Sequence, residues 1–358
     1  MRVLDIDDIL KLILQFGNFQ DFLCFGQVCK RFQKLRCDDF VTVKLKSEMT
    51  RAPSKNDKAT AISEINPEYS NWLKSRKWKR GVMQGPHISA LNIVAGHLKI
   101  LHLSRLVHCS RVYTCIPTQL IELSIVNCRL PLILCLDHFS FLTKLSLATS
   151  DNIKNVSFPL QLQHLDLSNS DCSNMSNLAH LSNLDTLNLS YCANLSDLDG
   201  LTHLKKFSLG GKNKIPVFQL GVFLVHMKHL HILDFSHSYV LNNNHLVTIA
   251  DYKQLEYLNV SQTQKPLDLS IISHSPQLKE LHINGLLYIT TNVIHHISYL
   301  PKLEKLYMSG CQYVTSVKEL NRVKNLQYLD ITKCSSITDY LDLPKHVTIH
   351  RFLWVPIK

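Results

Sequence analysis

The chain carries no glycine-rich phosphate loop, no G-x-G-x-x-G, no G-x-S-x-G elbow and no H-E-x-x-H pair. The common signatures of nucleotide-binding folds, serine hydrolases and zinc proteases are therefore missing, and the catalytic, cofactor-binding and metal residue sets are all expected to be empty. No apolar run approaches the ~20 residues that span a bilayer; residues 130–136 are among the longest. No basic lead opens the chain, whose first dozen residues carry Asp5, Asp7 and Asp8, so no secretory signal is expected. There are 11 cysteines but no C-x-x-C pair, which points to reduced, buried structural thiols rather than a disulfide framework or a zinc site. These absences lead to the expectation of a protein in the cytoplasm, the nucleus or both, without a membrane segment. Formal net charge is +11, so a nucleic-acid partner has to be weighed.

What is present is one phrase, repeated. Its clearest copy is Leu326-Gln327-Tyr328-Leu329-Asp330-Ile331-Thr332-Lys333-Cys334. The first leucine recurs at 98, 120, 142, 162, 184, 204, 230, 255, 278, 303 and 326, in steps of 20 to 26 residues. The spacing L-x-x-L-x-L-x-x-N/C resembles the leucine-rich repeat. Numbering each copy from its first leucine as slot one, slots four and six alternate with slots three and five at period two. One such strand cannot bury its apolar side alone; stacked copies build a parallel sheet over a continuous leucine core. Slots three and five are left to line an extended concave face. Leucines such as Leu187, Leu189, Leu258 and Leu329 should be buried, and a slot-five change such as Asn188→Ala should cost much less than Leu→Ala at those positions. In slot nine a small polar side chain can bond the turning backbone.

Residues 1–45 differ. The stretch from Leu4 to Phe16 suggests a helix capped by Asp5 and ended by Gly17, with Ile6, Ile9, Leu10, Leu12, Ile13, Leu14 and Phe16 covering an apolar arc. That arc is roughly 200° wide, twice what a surface helix needs. So much apolar surface on so small a unit implies a partner. Leu4, Ile9, Leu10, Ile13, Phe22-Leu23 and Val28-Cys29-Lys30-Arg31-Phe32 together resemble the F-box, with Asp5 where that family has proline and Phe32 where it has tryptophan. The resemblance implies that Leu4, Ile9, Leu10, Ile13, Phe22, Leu23, Val28, Lys30 and Arg31 contact a Skp-type linker protein on a cullin scaffold. The alternative is a helical subdomain that caps the repeats.

The expected organisation is an α/β repeat solenoid: a small all-α trihelical F-box-like domain at 1–45, a junction at 46–85, a leucine-rich-repeat horseshoe at 86–346 and a C-terminal cap at 347–358. In the junction, Lys74, Arg76, Lys77, Lys79 and Arg80 surround Trp78. This run reads either as a solvated helix at the domain junction or as a nuclear address or nucleic-acid patch. Steps between 120 and 204 alternate 22 and 20, too short for a full helix on the far side; later steps leave room for helices at 244–252 and 291–298.

Slots three and five mix acids with bases. A nucleic-acid groove would need a basic stripe, so nucleic acid is not expected there and a protein substrate is. The residues expected to hold it are Tyr257, Asn259, His282, Tyr307, Tyr328 and Asp330, because tyrosine offers contact area at small entropic cost. His226, His229 and His231 lack a completing Cys or carboxylate at zinc spacing. The resulting expectation is a non-catalytic substrate receptor of a Skp–cullin–F-box ubiquitin ligase. The alternatives are a plain interaction scaffold or inhibitor and an RNA- or chromatin-associated module.

Overall fold

The computed structural model describes residues 42–45, 80–84, 98–104 and 116–352, except 129, 132, 173–175, 194, 196, 197 and 199. All lie in the unit Thr42–Lys358. The F-box-like motif, from Leu4 to Phe32, and the basic run at 74–79 lie outside the described residues.

The described strands form a fourteen-stranded parallel sheet in chain order. They are Thr42–Leu45, Arg80–Gln84, Ile100–Ser104, Glu122–Val126, Lys144–Ser146, His164–Asp166, Thr186–Asn188, Lys206–Ser208, Ile232–Asp234, Tyr257–Asn259, Glu280–His282, Lys305–Tyr307, Tyr328–Asp330 and Thr348–His350. From the third strand on, slots three, four and five pair across every step, as Leu187 with Phe207, Leu258 with Leu281 and Leu306 with Leu329. Slot-four and slot-six side chains are buried, among them Leu187, Leu189, Leu258 and Leu329 at 0% exposure.

The sheet starts earlier than the repeat spacing indicates. Strands at 42–45 and 80–84 precede the expected start at 86; the first pairs with the second, Leu45 with Met83, and the second with the third, Met83 with Leu103. Neither carries the leucine spacing, so periodicity alone misses them. At the other end, Thr348–His350 pairs in parallel with Tyr328–Asp330. The segment expected to cap the sheet at 347–358 thus begins by adding one more rung.

Three-residue strands leave many backbone groups to satisfy. The slot-two carbonyl of each repeat accepts from slots two and three of the next: Asp185 O accepts from Lys205 N at 2.8 Å and Lys206 N at 2.9 Å. Slot-six N–H groups donate to the next slot-five carbonyl, as Leu189 to Ser208 at 2.8 Å. The ladder then continues outside the strand. Slot eight takes φ between 54° and 88° in every described repeat from Asn127 to Lys333. This turns its N–H toward the next slot-seven carbonyl, as Tyr191 to Gly210 at 2.7 Å.

Slot nine closes the remaining gap. Ser150 and Ser170 Oγ donate to the slot-six carbonyls of the preceding repeats, Ile125 and Leu147, at 3.2 and 3.1 Å. Cys192, Cys311 and Cys334 Sγ do the same to Leu167, Ile283 and Met308 at 3.1, 3.3 and 3.1 Å. Burial pushes the Cys311 thiol up to about 12, which leaves a protonated hydrogen-bond donor. All six described cysteines are free. In the repeat that carries Lys212 in slot nine, Asn213 Nδ2 donates to the slot-six carbonyl of its own repeat, Leu209, at 2.8 Å.

The far side follows repeat length. Short repeats carry 3-10 turns at Ile153–Asn155 and Ser176–His180 and a two-residue strand pair. Longer ones carry α1 (Val217–His226), α2 (Asn243–Ala250) and α3 (Thr291–Ile297). α2 and α3 fall where room for helices was expected. α1 was not anticipated, because its run Val-Phe-Gln-Leu-Gly-Val-Phe-Leu-Val lacks a polar face and contains Gly221. Gly221 faces α2, where a Cβ would make an ordinary 3.7 Å contact with His245.

His245 joins the two helices. Its Nδ1 accepts from Asn242 N–H at 3.3 Å while Asn242 Oδ1 accepts from His245 N–H, which completes a capping box. Nε2 therefore carries the proton and donates to the Val217 carbonyl at 3.1 Å. Burial, aided by Lys265 and opposed by the bond to Val217, lowers its pKa below the ordinary value. With the folded value below the unfolded one, this contribution is complete above about pH 6.5 and is lost as pH falls toward the folded pKa. The wild-type denaturant midpoint should fall over that window, and His245→Gln should start lower and lose this part of the slope. A second expectation concerns the rungs: Leu187→Ala should cost about 2–5 kcal/mol in chemical unfolding.

Candidate functional site

Slots three and five stand half-exposed on the open face of the sheet, in two rows set by the register. Tyr257, His282, Tyr307 and Tyr328 form one continuous line across four strands. Ring centroids are 5.0 Å apart from Tyr257 to His282, 4.0 Å from His282 to Tyr307 and 5.0 Å from Tyr307 to Tyr328. The middle pair is stacked, with 9° between planes. His282 and Tyr307 spend a ring face on each other, so no open cage for a cation or a base lies between them. What the row offers is a stiff ridge with polar groups on it.

The remaining two expected residues play a different part. Asn259 Oδ1 accepts from Ser261 N–H at 3.0 Å, and Asp330 Oδ1 from Thr332 N–H at 2.9 Å. Asp166, Asn188 and Asp234 hold the same slot-seven N–H in their own repeats, at 3.0, 3.0 and 2.8 Å. A slot-five Asp or Asn is therefore a turn support. Asn188→Ala should therefore cost about 1 kcal/mol, because truncation leaves a part-buried N–H without its acceptor, and still less than the loss of a core leucine.

Where slot five is His282 or Tyr307, the preceding repeat supplies the acceptor. Asn284 N–H donates to Ser261 Oγ at 3.1 Å, and Ser309 N–H to Asn284 Oδ1 at 2.8 Å. Gly210, which follows slot-five Ser208, bonds Ser190 Oγ at 3.3 Å in the same way. These slot-seven acceptors release slot five from backbone duty and let it carry aromatic rings. Sequence reasoning missed them, although Ser261 and Asn284 stand directly before the two aromatic slots in the repeat order.

No protein-family model matches the chain, and no curated protein matches it. Solved structures do. An internalin from Listeria monocytogenes aligns with TM-score 0.53 at 18% identity, over 79% of this chain and 89% of that one. The Toll–Spatzle complex of Drosophila aligns with TM-score 0.55 at 15% identity, over 77% of this chain and 40% of that one. The TLR13–ssRNA13 complex aligns with TM-score 0.52 at 19% identity, over 79% and 48%. In the last two, this chain spans less than half of the matched chain. The fold is the leucine-rich-repeat solenoid.

On this solenoid the aromatic row sits among charges that the sequence reading did not assign to the site. Glu280 Oε1 accepts from His282 Nε2 at 2.7 Å, and its Oε2 from Lys305 Nζ at 3.1 Å. Burial raises the Glu280 pKa, but these two donors outweigh it and hold the carboxyl below its ordinary range. The pair at i and i+2 on one strand face was visible as Glu280-Leu281-His282. Asp234 Oδ2 accepts from Asn259 Nδ2 at 3.2 Å. His350 Nδ1 lies 3.6 Å from Asp330 Oδ1.

Elsewhere, His231 stands in slot two, 3.7 Å from Glu256, while His226 ends α1. Among the described residues no three metal-ligating side chains come together. Burial first, and the Asp234 charge second, push the Tyr257 hydroxyl up to about 12. NMR titration of labelled tyrosine should show it ionising late. Asp234→Asn, which retains the turn acceptor, should bring it only part of the way back toward 10, because burial remains.

Proposed function

We propose that the solenoid is a protein-binding receptor whose ligand seats on the Tyr257–His282–Tyr307–Tyr328 row. The observation that carries this is the release of slot five at His282 and Tyr307, bought by acceptors in slot seven. Large half-buried aromatic side chains with polar tips are what protein interfaces favour as anchors. Glu280, Lys305, Asn259 and Asp330 supply a polar surround.

The N-terminal resemblance adds the second half of the reading. Residues 1–45 would form the F-box-like domain, with Leu4, Ile9, Leu10, Ile13, Phe22, Leu23, Val28, Lys30 and Arg31 against a Skp-type linker on a cullin scaffold. The chain would then be the substrate receptor of a ubiquitin ligase, in the cytoplasm, the nucleus or both. It would do no chemistry itself and would act by raising the local concentration of its substrate near the conjugating enzyme. A second reading is a leucine-rich-repeat scaffold or inhibitor without a ligase. What favours it is that no family model, an F-box model included, matches the chain.

One affinity purification separates the two. In wild type a Skp-type linker and a set of substrates should be recovered together. Leu10→Asp, or deletion of Met1–Val41, should lose the linker and keep the substrates. Tyr307→Ala with Tyr328→Ala should lose the substrates by at least about tenfold and keep the linker. No linker in wild type would leave the scaffold reading; substrates retained by the double variant would place their site off the aromatic row.

A further inference from the structure

The turns that leave the C-terminal ends of the strands carry a second surface that the aromatic row does not use. Slots eight to twelve of the seven repeats beginning at 184, 204, 230, 255, 278, 303 and 326 contain no Asp or Glu. They contain Lys212, Lys214, Lys265 and Lys333, all exposed. They also contain Tyr191, Tyr239, Leu287, Tyr288 and Tyr313, exposed by 49, 38, 58, 62 and 64%. Single exposed apolar residues are ordinary; this concentration on one edge is not.

The slot-eight ladder sets these turns side by side, and some of their side chains touch. The Tyr191 ring lies over Gly211, whose φ is 88° and where a Cβ would come within 2.5 Å of the ring. Its centroid is 6.2 Å from that of His237. Lys212 Nζ stands over the Tyr239 ring at 5.4 Å. The opposite edge of the sheet is built differently. There slot two alternates in sign and pairs internally, Lys205 with Asp185 at 3.0 Å and Lys279 with Glu256 at 2.9 Å. One edge is thus neutralised within the chain, while the other keeps its positive charge and its tyrosines.

We infer that this turn edge is a docking surface for an acidic protein segment, separate from the sheet-face site. Positive charge without local carboxylates calls for a negative partner, and exposed tyrosines supply contact area at small entropic cost. The cation density decides the class of partner. Four lysines are spread over five inter-repeat steps, roughly 24 Å at ~4.8 Å per step. A nucleic-acid backbone presents phosphates far more densely and calls for a continuous basic stripe. An acidic segment with interspersed apolar residues matches both the sparse lysines and the tyrosines between them.

The test is fluorescence anisotropy with the full chain and three labelled probes. One is a peptide of alternating acidic and apolar residues, one the same peptide with glutamine for each acid, and one a single-stranded RNA of similar length. The acidic peptide should bind tightest and weaken as salt rises. Lys212→Glu with Lys265→Glu should reduce its affinity by about tenfold or more. The milder Lys212→Gln with Lys265→Gln should act in the same direction, and so should Tyr288→Ala with Tyr313→Ala. Tyr307→Ala with Tyr328→Ala should leave it unchanged, which keeps this surface distinct from the sheet-face site. The inference is overturned if the glutamine peptide binds equally well, if both lysine pairs can be replaced without loss, or if RNA binds more tightly than the acidic peptide.

Discussion

Each repeat with a three-residue strand must satisfy two backbone groups that the strand leaves over: the slot-seven N–H and the slot-six carbonyl. Neither can reach a strand partner, and either one left unpaired at a buried turn costs about 1–3 kcal/mol. In five repeats the carbonyl is met by a buried serine or cysteine from slot nine of the next repeat; Leu209 is met by Asn213, and Leu189 and Phe235 by the N–H groups of Cys192 and Ser238. The N–H is met either by a slot-five Asp or Asn of its own repeat or by a slot-seven acceptor of the one before. The leucine core supplies the drive for stacking, and these bonds decide which side chain each slot can hold.

The aromatic row on the sheet face follows from that choice. A repeat that uses slot five for its own turn can display only Asp or Asn there. The repeats at 278 and 303 use Ser261 and Asn284 instead and display His282 and Tyr307. Ring stacking, with Tyr257 and Tyr328 in slot three on either side, then stiffens the row. The aromatic row stands where the structural duty is handed to a neighbour.

The amino-acid pattern makes much of this legible. Period-two alternation identifies the slots, their register and the buried leucines, because the side-chain period of a strand is a local property. Slot-nine cysteines are readable as structural thiols from their recurrence. Other features are not local. The first two strands lack the leucine spacing and join the sheet only by pairing with the strand after them. The double use of Asn188, Asn259 and Asp330 depends on a bond to a backbone N–H two residues on, and the substitute acceptors lie a whole repeat earlier. α1 hides because packing against α2, through the bond from His245 to Val217, overrides a weak helical pattern. The lysine–tyrosine edge needs the turns aligned before its missing carboxylates can be noticed.

The slot-seven and slot-eight bonds tie the turns beyond the strands as firmly as the strands themselves. Native-state amide hydrogen exchange measures this directly. The account predicts that slot-eight amides such as Asn169, Tyr191 and His237 and slot-seven amides such as Ser190 and Ser309 open with the same free energy as the slot-six amides of Leu167, Leu189 and Leu209. It also predicts that Asn284→Ala deprotects Ser309 while leaving Ser190 unchanged. Slot-seven and slot-eight amides that exchange like free surface turns, beside protected slot-six amides, would contradict it.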